Sequence, residues 1–199
     1  MRLVSLCAAV LALLALGVPA AAQSGVVEKT EAELALQKAS SRLQQSAEAR
    51  SEAETGCAAG EADACFLLGD MMRRGNGGQQ DYKGAAEAYQ KACTLNHAGA
   101  CAALAYLATN GKGIDQDLAE ARSLYKQSCD LGDVSGCAGY GNMLFTGQGG
   151  RKNVAEGTRV LRQACDRDYD WACERARQLG AYDPEDDTWE RLKDAGSRF

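Results

Sequence analysis

The sequence predicts an all-α chain, an α/α superhelical solenoid of helical hairpins stapled by disulfides, and three observations predict it. A Cys-x7-Cys unit recurs every 36 residues, at Cys57/Cys65, Cys93/Cys101, Cys129/Cys137 and Cys165/Cys173. From Cys65, Cys101 and Cys137 the segments CFLLGDMMRRGNGGQQDYKGAAEAYQKAC, CAALAYLATNGKGIDQDLAEARSLYKQSC and CAGYGNMLFTGQGGRKNVAEGTRVLRQAC align without a gap. In each of them apolar residues return at helical spacing on both sides of a Gly-x-Gly turn. A period of this size marks a stacked array in which every unit buries its apolar face only against its neighbours.

The chain opens with Arg2, an apolar run from Leu3 to Gly17 and the small residues Ala20-Ala21-Ala22 before Gln23. Residues 1–22 are expected to be a signal peptide, which makes the mature protein secreted or periplasmic. The run falls short of the ~20 apolar residues that span a bilayer, and no later segment is apolar enough, so no membrane anchor is expected after cleavage. Cys7 leaves with the signal. Eight of the nine cysteines remain, an even number in an oxidising compartment, where thiols pair.

Residues 23–44 form a polar segment with Leu34, Leu36 and Leu43 as its sizeable apolar residues, expected to be partly helical. The repeat array is placed at residues 45–180. Glu48-Ala49-Arg50 stands 72 residues before Glu120-Ala121-Arg122, so the stretch up to Gly56 reads as a second helix of a unit without a full first helix.

In the complete units, Leu68/Leu104/Tyr140 and Met71/Leu107/Met143 recur at i, i+3 beside the small Gly69/Ala105/Gly141, which is helical spacing with one close-packing position. This is helix A. Gly75/Gly111/Gly147 and Gly77/Gly113/Gly149 end it and turn the chain. Asp81/Asp117/Asn153 then offer N-caps. Helix B follows with Tyr82/Leu118/Val154, Ala85/Ala121/Gly157, Ala88/Leu124/Val160 and Tyr89/Tyr125/Leu161 on one face. The last unit lacks its Gly-x-Gly turn. Residues 181–199 are expected to form a C-terminal capping helix, with Asp183-Pro184-Glu185-Asp186 as its N-cap, N1 proline and first-turn acids, and with Trp189 and Leu192 facing the array.

Each cysteine pair sits at a joint, the first member closing helix B and the second lying early in the next helix A. Eight cysteines allow on the order of a hundred connectivities. The repeat symmetry favours pairing within each Cys-x7-Cys, since any other set makes the joints differ from one another. Closing one such loop is worth roughly 2.6 kcal/mol by the chain-entropy estimate. That is large beside the net stability of a domain and compensates for a core rich in alanine and glycine.

The units resemble SLR (Sel-like) repeats, themselves TPR-like hairpins, and the Cys-x7-Cys joints resemble those of the Hcp family of secreted cysteine-rich proteins. The resemblance covers Cys57 to about Leu179. It implies a solenoid with disulfides between neighbouring units, penicillin binding and a weak β-lactamase activity.

The residues themselves assemble no catalytic constellation. Of the serine β-lactamase elements only a Ser-x-x-Lys string occurs, Ser123-Leu124-Tyr125-Lys126, on a helix-B face where the sister units carry Glu87/Arg159 and Gln90/Arg162. His97 is the single histidine, and the other joints place Glu61, Asp133 and Tyr169 at its position, so neither a metal site nor a cofactor is expected. The glycines of the turns lack the phosphate-binding Gly-x4-Gly-Lys-Ser/Thr pattern, and Glu185-Asp186-Asp187 reads as a helix start. A net charge of −5, or −6 once Arg2 is removed, excludes a basic nucleic-acid footprint.

What remains is recognition along helix A. Its positions Phe66/Ala102/Ala138, Asp70/Tyr106/Asn142, Arg73/Thr109/Phe145 and Arg74/Asn110/Thr146 vary between units at i, i+4, i+7 and i+8. The candidate groove residues are Phe66, Asp70, Arg73, Arg74, Tyr106, Asn110, Asn142 and Phe145. Expected ligands are a peptide, a cell-wall fragment or a β-lactam, and the competing reading is a non-catalytic adaptor for an envelope or secreted protein.

Overall fold

The computed structural model describes residues 30–180. The expected signal peptide and C-terminal capping helix, with Cys7, Trp189 and Leu192, lie outside the described residues. The chain divides into two compact units at Ser41/Arg42.

Of the first unit the described part is the start of α1 (Glu31–Ala58). It begins on a capping box, in which the Glu33 amide donates to Thr30 Oγ1 and the Thr30 amide donates to Glu33 Oε2. Leu34 and Leu36 are exposed there.

The second unit, from Arg42, is helical throughout its regular structure among the described residues. The remainder of α1 is followed by α2 (Ala62–Arg74), α3 (Tyr82–Thr94), α4 (Ala98–Asn110), α5 (Leu118–Asp130), α6 (Val134–Thr146), α7 (Val154–Cys165) and α8 (Asp170–Gln178). The A helices are α2, α4, α6 and α8; the B helices are the end of α1, then α3, α5 and α7. From α2 to α8 each helix packs on the next in sequence, the arrangement of a helical-repeat solenoid.

Local chemistry sets the boundaries. Asp81, Asp117 and Asn153 accept from the amides of the first turn of α3, α5 and α7, and Gly75, Gly111 and Gly147 end α2, α4 and α6 in the left-handed region. The second glycine of each turn answers to packing as well as to conformation. A Cβ at Gly77, Gly113 or Gly149 would overlap the carbonyl group of Ser46, Tyr82 or Leu118, three residues at one repeat position on the preceding B helix. Without glycine at that point the turns could not seat against the stack.

At the joints the disulfides are Cys57–Cys65, Cys93–Cys101, Cys129–Cys137 and Cys165–Cys173. Each joint passes through a left-handed residue, Gly60, Asn96, Gly132 or Asp168, again one repeat apart. The core is built from alanine, leucine and cysteine around a few large side chains, with Tyr89, Leu107, Met143 and Leu161 fully enclosed. Tyr89 lies on Gly69 of α2 and Leu161 on Gly141 of α6, where an added Cβ would collide with them. The small residues of helix A are therefore seats for a helix-B side chain.

Candidate functional site

The A helices and the large helix-B side chains that reach between them frame a cleft of about 560 Å³. Six aromatic residues line it: Phe66, Tyr89, Tyr106, Tyr125, Tyr169 and Trp171. The whole chain holds twelve aromatics, so half of them converge on this one cleft. Tyr106 and Trp171 are 44% and 47% exposed and offer ring surface to a ligand. Gly99, Ala102, Ala103 and Gly139 keep the floor low between the rings.

Each ring is held in place. Phe66 stacks on His97 with ring centroids 4.3 Å apart, and His97 is itself fixed as the N-cap of α4, its Nδ1 accepting from the Ala100 amide at 3.1 Å. Tyr89 is enclosed, and its hydroxyl accepts from Arg73 Nε at 3.3 Å. Burial pushes the Tyr89 phenol above its usual range, while the Arg73 hydrogen bond pulls it back. Tyr125 rests against Gly139 of the next unit, where a Cβ would strike its ring. Burial pushes its phenol up to about 12, opposed by a hydrogen bond with Thr109. Tyr106 receives the Lys112 ammonium 5.4 Å from its ring centroid. Tyr169 and Trp171 meet as a tilted pair at the far end of the cleft, 6.4 Å apart.

The charged groups of the cleft are already engaged. Asp70 accepts from Arg73 at 2.5 Å and from Arg74 at 2.8 Å. Asp133 caps α6, accepting from the Gly136 amide at 2.6 Å and from the Ser135 hydroxyl. What the cleft presents is ring faces, hydroxyls and an indole N–H, without a free charge.

Of the residues proposed from sequence, Phe66, Asp70, Arg73 and Tyr106 line the cleft. The other four are placed differently. Arg74 is tied to Asp70 outside the lining, and Asn110 donates to the Tyr106 carbonyl at 2.7 Å. Asn142 accepts from Arg175 Nε at 2.7 Å. Phe145 packs against the last core cluster. Sequence reasoning missed Tyr89, Tyr125, Tyr169 and Trp171. The two helix-B tyrosines were legible only as core positions, and Trp171 shares its repeat position with Gly99 and Ser135, which gave it no aromatic series to belong to. Ser123 and Lys126 are exposed on α5, and the Lys126 ammonium pairs with Asp130 at 2.7 Å.

A helical-repeat array with a side-chain-lined cleft and disulfides at its joints defines a class, the cysteine-rich solenoid proteins. The Sel1 repeat model matches residues 62–97, 98–133 and 134–169, which together are 108 of 199 residues, and the chain belongs to the Sel1 repeat family. Among solved structures it is similar to a Sel1 repeat protein from Oxalobacter formigenes, at 25% identity and a TM-score of 0.56 over 59% of this chain and 49% of that one. It also resembles cysteine-rich protein B of Helicobacter pylori, at 26% identity and a TM-score of 0.50 over 63% of this chain and 95% of that one. A protective antigen of uropathogenic Escherichia coli with an SLR fold, at 23% identity and a TM-score of 0.59 over 76% of this chain and 38% of that one, shares the fold. The chain thus spans about half the length of the first of these and less of the E. coli protein. No curated protein matches it.

Proposed function

We propose that this protein is a secreted or periplasmic interaction scaffold that holds an extended peptide or peptide-bearing cell-wall fragment in its aromatic cleft. The observation that carries the reading is the convergence of six aromatic side chains from four successive units on one cleft whose charges are internally satisfied. Exposed Tyr and Trp are the side chains on which interfaces concentrate binding energy, because they bring large area at small entropic cost. Four disulfides fit an oxidising compartment, and export through residues 1–22 agrees with them. The resemblance to cysteine-rich Sel1 proteins supports penicillin as a further ligand of the same cleft, since a β-lactam is itself a constrained acyl dipeptide.

Titration of the purified protein with peptide libraries, peptidoglycan fragments and penicillin, followed by isothermal titration calorimetry, tests the reading. Trp171→Ala and Tyr106→Ala are each expected to weaken binding by about 1 kcal/mol or more with the helical circular dichroism unchanged. Saturable binding that is indifferent to both substitutions would move the ligand elsewhere on the array.

A further inference from the structure

The Gly-x-Gly turns carry a second pattern. Two pockets recur at one repeat position, each formed where a B helix meets the Gly-x-Gly turn of the following unit. They share no residue with the aromatic cleft. The first, about 550 Å³, has Leu104 and Ile114 as its apolar surface and is ringed by Glu87, Asp115, Asp117 and Glu120 against Lys83 alone. The second, about 530 Å³, has Tyr140 in the place of Leu104, takes the rest of its apolar surface from Leu144, and carries Arg122, Arg151 and Lys152 against Glu156. Four carboxylates and one ammonium give the first pocket a formal charge of −3, and three cations and one carboxylate give the second +2.

The reversal has a sequence cause. Where the second pocket has Arg122, whose guanidinium donates to the Arg151 carbonyl at 3.0 Å, the first has Ala86, 36 residues earlier. Where the second has Arg151, the first has Asp115, also 36 residues earlier. Neither the Asp115 carboxylate nor the Arg151 guanidinium forms an ion pair within the described chain. The two pockets flank α5, with Glu120 turned toward one and Arg122 toward the other.

We infer that this pair of pockets is a self-complementary docking face for a second copy of the chain. A patch with an acidic and a basic pocket side by side matches itself when turned through a two-fold axis normal to it: the acidic pocket of one copy meets the basic pocket of the other, twice over. This is the isologous geometry of most homodimers. Opposite potentials steer the encounter, and like-charge juxtaposition penalises every other register. The apolar floors supply area once the rims are neutralised. A second copy is the one partner whose surface is known to carry the required pattern in the required spacing.

Analytical ultracentrifugation of the oxidised protein, from micromolar to millimolar concentration, tests this directly. The wild type should show a monomer–dimer equilibrium that weakens as salt is added. Asp115→Arg cuts the formal charge of the first pocket from −3 to −1 and Arg151→Asp takes that of the second from +2 to 0, so each alone should weaken self-association at least about tenfold. The two single variants mixed should pair with each other in preference to themselves, because each contributes the pocket the other has lost, and Asp115→Arg/Arg151→Asp in one chain, left with −1 against 0, should associate more weakly than the wild type. Thermal melts of each variant confirm that the fold persists. A wild type that stays monomeric throughout, single variants that associate as the wild type does, or a double variant that associates as strongly as the wild type would each overturn the proposal.

Discussion

The first two joints and the last two are built on the same template and differ in what surrounds the sulfur. At the first two, Cys57–Cys65 and Cys93–Cys101 are buried among Leu68, Tyr89, Leu104 and a continuous set of alanines. At the last two, Cys129, Cys137, Cys165 and Cys173 are all partly exposed, and the neighbouring clusters are smaller. The comparison teaches that the staple and the core are exchangeable supports: where the apolar cluster thins toward the C-terminal end, the covalent bond carries a larger share of the joint.

The largest blow to that balance is full reduction. Each staple is worth roughly 2.6 kcal/mol by loop-closure entropy, so removing all four should lower the melting temperature by tens of degrees or unfold the array, read by circular dichroism with and without a dithiol. Alkylation of partially reduced protein should label Cys129, Cys137, Cys165 and Cys173 before the buried four. Labelling in the opposite order would show that burial does not distinguish the joints.

Next in size is the removal of the enclosed side chain at the helix-B seat. Tyr89→Ala should cost about 3–5 kcal/mol, because it vacates a ring-sized volume over Gly69 and leaves Arg73 without its phenol partner. Leu161→Ala, at the same repeat position, should cost about 2–5 kcal/mol in the oxidised protein. Measured instead under reducing conditions, the Leu161 variant should lose proportionally more, as its joint depends more on the staple.

Alkali sharpens the comparison in a different way. The Tyr125 phenol is pushed up to about 12 while the unfolded chain ionises near a tyrosine's usual 10. Between these values the unfolded state has released the proton and the folded state still holds it. The contribution is therefore complete below pH 10 and lost as pH rises through about 12. Tyr89 shifts in the same direction, whereas the equivalent Leu161 does not titrate. Tyr125→Phe should flatten the alkaline limb of a pH–melting curve without moving the neutral plateau by more than about 1 kcal/mol. The smallest effect is expected at Ser123→Ala. Slow turnover of a chromogenic cephalosporin, if measured, should survive that substitution, because Ser123 is exposed and Lys126 is held by Asp130.

Much of this architecture was legible because the chain repeats itself. Capping residues, turn glycines and close-packing glycines are individually weak signals, and three aligned copies turned each into a pattern. The left-handed joint residue was overlooked although Gly60, Asn96, Gly132 and Asp168 stand in one column and are the residue types that tolerate positive φ. The cleft was half legible. Variation along helix A located Phe66, Asp70, Arg73 and Tyr106, but a list of positions cannot say how deep a neighbouring helix-B ring will reach. Phe145 shows the converse: offered as a groove residue, it is drawn against the last cluster because Gly141 and Gly157 let α6 and α7 approach backbone to backbone.

The spacing of the staples also sets how this chain answers to tension. Each disulfide short-circuits eight residues of its joint, so a pulled repeat of 36 residues can pay out only the 28 that lie outside the covalent bypass. Stretched between its ends, the oxidised array should lengthen in short, uniform steps, and a reductant should add about 27 Å to each, at some 3.4 Å of extended backbone per residue. A tether of this kind keeps its joints closed under load that would otherwise draw them out.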